Sequence, residues 1–511
     1  MKKSWKYLGL SMLALGILGA CGTDNATKKT EKASDKLSIV TTFYPMYEFT
    51  KQIVGDEANV TLLVPAGQEP HDYEPSAKDI ANIQSADVFV YHNPNLENWV
   101  TKASKSWQKN APHIIEGTKN MVLLPGTEEE EGHSHSEGEE GHSHELDPHT
   151  WLAPSLAMKE VESIKEQLVK LYPKKESVFT SNAEKYLTKL KALDEEYQTT
   201  LSNAKQKSFV TQHAAFGYLA LEYGLTQVPI AGLSPEQEPS LTRLAELKAY
   251  VQTNGLKYIY FEENASDKVA RTLADEANVK LLVLNPLESL TKEQMKNGED
   301  YLSVMKDNLT ALKKTVSVAG KTVQAETTTD SKHTVANGYF EDSAVKDRTL
   351  SDYSGDWQSV YPLLQDGTLD QVFDYKAKLN KDMTTEEYKA YYETGYKTDV
   401  NQIIIKDNTM DFVVNREHHR YTYQYKGYKI VTYKKGNRGV RYLFEATDAN
   451  AGKYKYVQFS DHNIAPVKTS HFHIFFGGES QEQLLDEMDN WPTYYPNSQS
   501  KLEIAQEMMA H

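Results

Sequence analysis

Three histidines and one glutamate within residues 36–319 have side chains that bind divalent metals: His71, His149, His213 and Glu288. His71, His213 and Glu288 each follow an apolar, β-rich run within a few residues. Ligand groups gather at the carboxyl ends of strands in open parallel sheets, so these loops can meet at one cleft. Three imidazoles and a carboxylate would complete a tetrahedral site. A single loop histidine is usually solvated, so the prediction rests on the combination.

His149 lies in the segment Asp147-Pro-His-Thr-Trp-Leu-Ala-Pro, after a long loop rather than directly after a strand. Asp147 can be a simple turn former before the proline. It can also accept a hydrogen bond from a ligand histidine and so fix the tautomer of that imidazole.

A second histidine cluster lies near the C-terminus. His471 and His473 are two residues apart on a predicted strand, so both side chains point to one face. His462 precedes them across a loop, and three imidazoles would form a site with one open position. The alternative is that these are packed or surface strand histidines. The pair His418-His419 is a weaker candidate, because neighbours on a strand face opposite ways.

Residues 128–145 form an acidic segment that holds four further histidines among its glutamates: His133, His135, His142 and His144. This composition cannot bury a core, so the segment is predicted to be disordered. It is either a solvated insertion or a weak metal-capturing loop, because imidazoles beside carboxylates raise the local concentration of transition metals near His149.

The N-terminus has the pattern of an export signal. Residues 1–20 combine early lysines with an apolar run that is too short to span a bilayer comfortably. Leu18-Gly-Ala-Cys21 resembles the bacterial lipobox, whose cysteine is diacylated, and residues 21–35 have the composition of a flexible tether. Cys21 is the only cysteine, so an intramolecular disulfide is excluded. We expect a lipid-anchored protein on the extracellular face of the membrane.

Elements that could position the first cluster occupy residues 36–319. Strand-like runs begin at residues 37, 60, 86, 209, 258 and 280, and amphipathic helical patterns cover about 156–171, 182–203 and 241–254. This alternation predicts an α/β architecture with parallel sheets. The helical pattern from 155 to 203, interrupted at Pro173, is interpreted as the connection between two lobes.

Residues 320–332 are polar and threonine-rich, as in a linker, and the composition then changes. Residues 333–511 are rich in tyrosine and alternate at period two over 420–425, 428–433, 439–444 and 454–459. Lys426-Gly427, Gly436-Asn437 and residues 448–452 are predicted turns between them. The pattern predicts an antiparallel meander curled into a β-barrel.

His71-Asp-Tyr-Glu-Pro-Ser, Asp147-Pro-His-Thr-Trp-Leu-Ala-Pro and His213-Ala-Ala-Phe-Gly-Tyr together resemble metal-specific substrate-binding proteins of ABC importers, of the ZnuA type, over about residues 36–318. The resemblance implies two α/β lobes joined by a long rigid helix, with the metal between them on His71, His149, His213 and Glu288. Manganese-binding relatives commonly have a carboxylate at the third position, where this chain has His213. Imidazole-rich sites suit zinc, so Zn²⁺ is predicted and manganese is the alternative.

The segment Val345-Lys-Asp-Arg-Thr-Leu-Ser-Asp-Tyr-Ser-Gly-Asp-Trp-Gln-Ser-Val-Tyr-Pro, with His462, His471 and His473, resembles the ZinT family over about residues 335–511. That resemblance implies a lipocalin-like barrel with a second zinc site. Both resemblances together imply a monomeric zinc receptor that delivers Zn²⁺ to a membrane permease. Ligand imidazoles must be neutral, so zinc uptake should weaken as the pH falls toward about 6.5.

Other classes of function fit less well. The net charge is 56 − 72 = −16 and there is no Lys/Arg-rich run, so a nucleic-acid partner is not expected. A secreted zinc hydrolase would need an open coordination position and an acid–base partner, and the chain has no His-Glu-x-x-His. We therefore predict no enzymatic activity. Cell adhesion is a third possibility, but no adhesive motif supports it.

Overall fold

The computed structural model describes residues 36–107, 111–126, 146–236, 239–263, 265–319, 334–335, 337–433, 436–486 and 489–510. The predicted signal peptide, the predicted tether with Cys21, the predicted linker 320–332 and the four histidines of the acidic segment (His133, His135, His142 and His144) lie outside the described residues. Within the described ranges, no helix has both the length and the apolar character needed to cross a bilayer.

The first lobe alternates strands and helices: β1 (Leu37–Thr41), α1 (Tyr44–Val54), β2 (Ala58–Leu62), α2 (Ala77–Ser85), β3 (Val88–Tyr91), α3 (Asn98–Ser104) and β4 (His113–Glu116). The strands form a parallel sheet in the order β2-β1-β3-β4. Strand β3 reads Val-Phe-Val-Tyr and is buried along its whole length, as expected for a strand covered on both faces.

Two packed helices connect the lobes: α4 (Pro154–Leu171) and α5 (Glu176–Leu201). A short 3₁₀ turn at Pro173–Lys175 separates them, because proline has no N–H to continue the α-helical bonding. Helix α5 buries Leu190, Leu193, Tyr197 and Leu201 on one face. This spacing of three and four residues gives the helix one apolar stripe along its length.

The second lobe repeats the pattern: β5 (Ser208–Thr211), α6 (Gly217–Glu222), β6 (Thr226–Pro229), α7 (Leu241–Thr253), β7 (Tyr258–Phe261), α8 (Lys268–Ala277), β8 (Lys280–Val283), α9 (Lys292–Asn297) and α10 (Tyr301–Val316). Its parallel sheet has the order β6-β5-β7-β8. The sequence did not predict β4 and β6. Both are short edge strands with fewer buried residues, so they lack a strong apolar run.

The C-terminal half is a closed antiparallel barrel with flanking helices: β9 (Gly355–Ser359), α11 (Tyr361–Gln365), α12 (Asp370–Asn380), α13 (Thr385–Tyr396), β10 (Gln402–Lys406), β11 (Thr409–Val414), β12 (Glu417–Thr432), β13 (Arg438–Ala446), β14 (Tyr456–Ser460), β15 (Phe472–Gly477), α14 (Gln481–Asp486), β16 (Thr493–Pro496) and α15 (Lys501–Ala510). The barrel runs in order from β10 to β16 and closes through β9. Tyr353, Trp357, Phe459 and Phe472 pack in its interior. The predicted fold class is confirmed in both halves.

One predicted turn is wrong. Lys426-Gly427 lies within the continuous strand β12, where the register with β13 shifts between Tyr425 and Tyr428. Gly427 has a φ of 100°, which a bulge requires as readily as a turn does. The local sequence signal is the same in both cases. The partner strand, which continues past this point, makes it a bulge.

The bilobed part of the chain (residues 36–319, here called the first half) and the barrel part (residues 333–511, the C-terminal half) share a buried core. Met121, Val122 and Tyr218 of the first half pack in one hydrophobic cluster with Tyr375 and Ile504 of the second half. An ion pair between Lys378 and Glu222, with Nζ 2.7 Å from Oε1, also joins the halves. The halves are therefore in direct contact through buried side chains.

Candidate metal centres

The four predicted ligands of the first half converge on one point, which we call site 1 (His71, His149, His213 and Glu288). Nε2 of His149 lies 3.2 Å from Nε2 of His71 and 3.4 Å from Nε2 of His213. Oε1 of Glu288 lies 3.3 Å from Nε2 of each of the three histidines. The ligand atoms are thus brought together from segments far apart in the sequence.

These separations fit a small tetrahedral cation. Zinc binds nitrogen and carboxylate oxygen at about 2.0–2.1 Å, and a tetrahedron of that radius has edges of about 3.3–3.4 Å. The separations of 3.2–3.4 Å between the ligand atoms match these edges. Octahedral oxygen-rich coordination, which suits manganese, would need more carboxylate or water ligands than this donor set offers. The donors therefore fit zinc.

Site 1 lies between the lobes, at the ends of strands. His71 follows β2 in the first lobe, while His213 follows β5 and Glu288 follows β8 in the second lobe. His149 comes from the segment before α4 and begins the 3₁₀ turn Thr150–Leu152. His149 and His213 are fully buried and Glu288 is nearly so, whereas His71 is partly exposed. A bound ion would be enclosed on most sides.

Asp147 orients the imidazole of His149. Its Oδ1 accepts a hydrogen bond from the backbone N–H of His149 at 2.9 Å and lies 2.8 Å from Nδ1 of the same residue. Nδ1 is thereby the protonated nitrogen, and Nε2 faces the metal position. Gly217 makes this arrangement possible, because a Cβ there would lie 2.8 Å from Oδ2 of Asp147. The predicted tautomer-fixing geometry of Asp147 is present.

A buried polar cluster, formed by His92 of the first lobe and Glu160 of helix α4, holds the same segment. Nε2 of His92 lies 2.6 Å from the carbonyl oxygen of Pro148, and the Thr150 hydroxyl donates to Glu160 at 2.6 Å. His92 and Glu160 are both fully buried. The residues on each side of His149 are therefore held by buried side chains, Pro148 through its carbonyl oxygen and Thr150 through its hydroxyl.

Glu262 orients the imidazole of His213, as Asp147 orients that of His149. Its Oε1 lies 2.5 Å from Nδ1 of His213, and both side chains are buried. The sequence analysis missed Glu262. The available signal was its position directly after β7, at the same sheet edge as His213.

The charges of site 1 are balanced without a metal. Burial alone would lower the pKa of His213, but Glu262 and Glu288 raise that pKa well above its ordinary value. Burial opposes ionisation of Glu288, yet His213 and the hydrogen bonds from the other ligands hold the pKa of Glu288 well below its ordinary value. Burial lowers the pKa of His71. Burial likewise opposes protonation of His149, but its hydrogen bonds with Asp147 and Glu288 raise the pKa of His149 above its ordinary value. The metal-free site therefore favours protonated imidazoles, His213 above all, beside an ionised Glu288.

Glu69 is a further carboxyl group beside site 1. Its Oε1 accepts a hydrogen bond from the backbone N–H of His71 at 3.1 Å. Burial, together with the negative charge of Glu288, raises the pKa of Glu69 to about 9. Glu69 is thus neutral at physiological pH in the metal-free protein. No motif or spacing in the sequence singles it out.

The second cluster, which we call site 2 (His462, His471 and His473), also converges. Nε2 of His473 lies 3.4 Å from Nε2 of His462, again close to a zinc tetrahedron edge. Only His473 lies on a strand: His471 precedes β15, and His462 lies in the loop after β14. Nδ1 of His473 lies 2.8 Å from Oγ1 of Thr493, and Nδ1 of His471 lies 3.4 Å from Oε1 of Glu507. His462 is exposed, so site 2 is open where site 1 is enclosed.

Arg348, within the segment Val345–Pro362 that resembles the ZinT family, explains how His462 is held. Arg348 is fully buried, and its Nη1 lies 2.6 Å from both carboxylate oxygens of Asp461, the residue before His462. The guanidinium also covers the ring of Tyr353, with Cζ 4.5 Å from the ring centroid. His462 has a φ of 62°, a conformation that L-residues rarely adopt. The Arg348–Asp461 pair therefore fixes a strained backbone at a ligand.

His418 and His419 do not join either cluster. His418 pairs with Asp411, with Nδ1 3.0 Å from Oδ2, and His419 stacks over Tyr454. They lie on β12, away from β15 and its preceding loop. The weaker candidate pair is thus part of the barrel surface.

Comparisons with known proteins agree with this architecture. Residues 39–315 match the family described as zinc-uptake complex component A, periplasmic (ZnuA). Residues 331–511 match the family described as ZinT (YodA), periplasmic lipocalin-like zinc-recruitment.

Full-length relatives share both halves. The chain is 63% identical to the zinc-binding lipoprotein AdcA of Streptococcus pneumoniae, over 95% of this chain and 97% of the relative. It is 56% identical to the zinc-binding protein AdcA of Streptococcus pyogenes, over 94% and 95% of the two chains. The crystal structure of Zn(II)-bound AdcA from Streptococcus pneumoniae superposes with a TM-score of 0.85 at 62% identity, covering 93% of this chain and 100% of that one. The chain therefore belongs to the AdcA family, in which a ZnuA domain is followed by a ZinT domain.

Proposed function

We propose that this chain is the extracytoplasmic zinc receptor of an ABC import system. Site 1 holds Zn²⁺ on His71, His149, His213 and Glu288 and releases it to a membrane permease. The observation that carries the proposal is the set of 3.2–3.4 Å separations among buried ligand atoms, which fits tetrahedral zinc.

Site 2 serves as an accessory scavenging site. Its three imidazoles leave one coordination position for water or for a ligand that accompanies the incoming ion. The exposure of His462 gives zinc direct access from solvent. Zinc captured there would raise the local concentration of the ion for site 1, because both sites belong to one chain.

The chain works at the membrane surface as a monomer, held by a diacylated Cys21 after removal of residues 1–20. We propose no catalytic reaction. Four protein ligands at site 1 would leave no position for an activated water.

Metal analysis of the purified protein tests the proposal. The wild type should carry two zinc ions per chain, and His213→Ala and His471→Ala should each carry about one fewer. Substitution of His418, a surface histidine outside both clusters, is the matched control and should leave zinc content unchanged. Retention of two zinc ions in both ligand variants would contradict the assignment.

Delivery to a permease needs a separate test. In cells that lack the native receptor, wild-type protein should restore growth on limiting zinc, and His213→Ala should not. Supplementation with zinc, but not with manganese, should rescue the variant. Rescue by manganese would favour the alternative of a manganese receptor.

A further inference from the structure

Two glutamines of the C-terminal half each hold both backbone polar groups of one residue in the first half. The amide of Gln371, on α12, accepts from the N–H of Val122 at 3.0 Å and donates to its carbonyl oxygen at 3.0 Å. The amide of Gln506, on α15, accepts from the N–H of Leu123 at 2.8 Å and donates to its carbonyl oxygen at 2.6 Å. Two consecutive residues thus each have both backbone polar groups bonded by one side-chain amide.

The next residue connects this segment to site 1. Leu124 donates its N–H to the Tyr218 hydroxyl at 2.8 Å and accepts from the N–H of Asp147 at 2.9 Å. The Tyr218 hydroxyl in turn donates to the carbonyl oxygen of Asp147 at 2.8 Å. Asp147 is the residue that orients His149. Hydrogen bonds, together with the peptide bond between Leu123 and Leu124, therefore connect Gln506 to a predicted zinc ligand.

The same helix also contacts site 2. Glu507 follows Gln506 on α15, and its Oε1 lies 3.4 Å from Nδ1 of His471. Adjacent residues of one helix therefore contact the ligand imidazole of one site and the backbone that supports the other.

Burial makes these glutamine contacts effective. Met121, Val122, Leu123 and Leu124 are buried, so their backbone groups have little access to replacement water. Buried N–H and C=O groups that lose their partners are costly, and the backbone shifts to recover them. A shift of residues 122–124 would carry Asp147 with it.

We propose that Gln371 and Gln506 are positioning residues for site 1. Through residues 122–124 and Asp147 they hold the His149 imidazole in its zinc-binding orientation, so that contact with the barrel half strengthens zinc binding in the first half. The inference rests on the proposed function of site 1. It extends that function by making the ZinT half a structural part of the first site.

The test uses the full chain with site 2 disabled. The background His462→Ala/His473→Ala removes two ligands of site 2 but keeps His471 and its contact with Glu507. The test variant adds Gln371→Ala/Gln506→Ala to this background. The matched control adds Lys378→Met instead. The control also breaks a contact across the interface, the pair with Glu222, but it does not touch residues 122–124.

Zinc affinity of site 1 is measured by competition with a chromophoric chelator, and ligand geometry by the visible spectrum of bound Co²⁺. The glutamine variant should bind zinc about tenfold more weakly, with an altered Co²⁺ spectrum. The Lys378→Met variant should stay within about twofold of the background, with an unchanged spectrum. Thermal unfolding of the metal-free proteins verifies that all of them are folded.

Two results would overturn the inference: unchanged affinity and spectrum in the glutamine variant, or an equal loss in Lys378→Met. The second would mean that general contact between the halves matters, not the two glutamines. If the background itself binds no zinc, the proposed function of site 1 fails, and the positioning role fails with it.

Discussion

Glu262 holds His213 by a 2.5 Å contact to Nδ1, between two buried side chains that are 49 residues apart in sequence. The contact leaves Nε2 of His213 facing the other ligands of site 1. A carboxylate behind a ligand imidazole also makes that imidazole a stronger electron donor to a metal.

Replacement of Glu262 by glutamine should weaken zinc binding at site 1. Glutamine keeps the size and an acceptor oxygen but removes the charge, and loss of such a partner typically costs about 10–100-fold in metal affinity. Chelator competition measures the change. Glu263→Gln, at the exposed neighbouring carboxylate, is the control and should have no effect. Equal affinities of the two variants would show that Glu262 does not support the ligand.

Zinc binding to site 1 should release a proton near neutral pH. Glu262 and Glu288 raise the pKa of His213, so this ligand is protonated in the metal-free protein and must lose its proton to bind zinc. Glu288, whose pKa is lowered, is already ionised and releases none. Affinity should therefore fall by at least about tenfold per pH unit below the raised pKa of His213, because the pKa of His149 is raised as well. The decline begins above the pH of about 6.5 expected from an ordinary histidine.

Calorimetry in buffers of different ionisation enthalpy at one pH counts the released proton. The stability of the metal-free fold depends on pH in the opposite direction to zinc affinity. The raised pKa of His213 stabilises the metal-free fold fully below its unfolded value of about 6.5, and this contribution is lost as the pH rises through the folded pKa. Zinc binding that releases no proton at neutral pH would contradict the charge assignment.

Arg348→Lys should destabilise the barrel and impair site 2. Lysine cannot reproduce the two contacts to Asp461 in a buried position, so we expect a loss of about 3 kcal/mol in unfolding free energy. Denaturant unfolding and zinc stoichiometry measure the two effects. Arg271→Lys changes an exposed ion pair with Asp267 and should cost less than about 1 kcal/mol. A similar small cost for Arg348→Lys would remove its positioning role.

The two sites should release zinc at different rates. Site 1 buries His149, His213 and Glu288, whereas His462 of site 2 is exposed. A chelator chase of the zinc-loaded wild type should show two phases. His462→Ala should remove the fast phase and His213→Ala the slow one. A single phase, or the reverse assignment, would contradict the difference in enclosure.

Removal of the acidic segment 128–145 should slow zinc capture and leave both equilibrium affinities unchanged. Its four histidines are expected to raise the local metal concentration without contributing to the tight sites. Uptake kinetics at limiting zinc are the measurement. Replacement of only His133, His135, His142 and His144 by serine keeps length and charge and should have the same effect. Unchanged kinetics in both variants would remove the segment from the mechanism.

The sequence alone predicted the two modules and seven converging side chains. Strands β1, β3, β5 and β7 carry short apolar runs with enough local signal to be identified. The histidines are chemically distinctive, and the rule that ligands gather at strand ends is general for parallel sheets. The hydrophobic pattern of a strand and the chemical type of a metal ligand are both properties of a short segment, so each can be recognised without knowing the rest of the fold.

The tertiary structure alone decided what supports those ligands. Glu262 and Arg348 are ordinary charged residues until packing carries one to His213 and the other to Asp461. Gly427 has the same local signal in a bulge as in a turn, and only its paired strand distinguishes them. The contact of Gln506 with Leu123 spans 383 residues. Such contacts depend on which buried surfaces fit together, and that fit is a property of the whole folded chain.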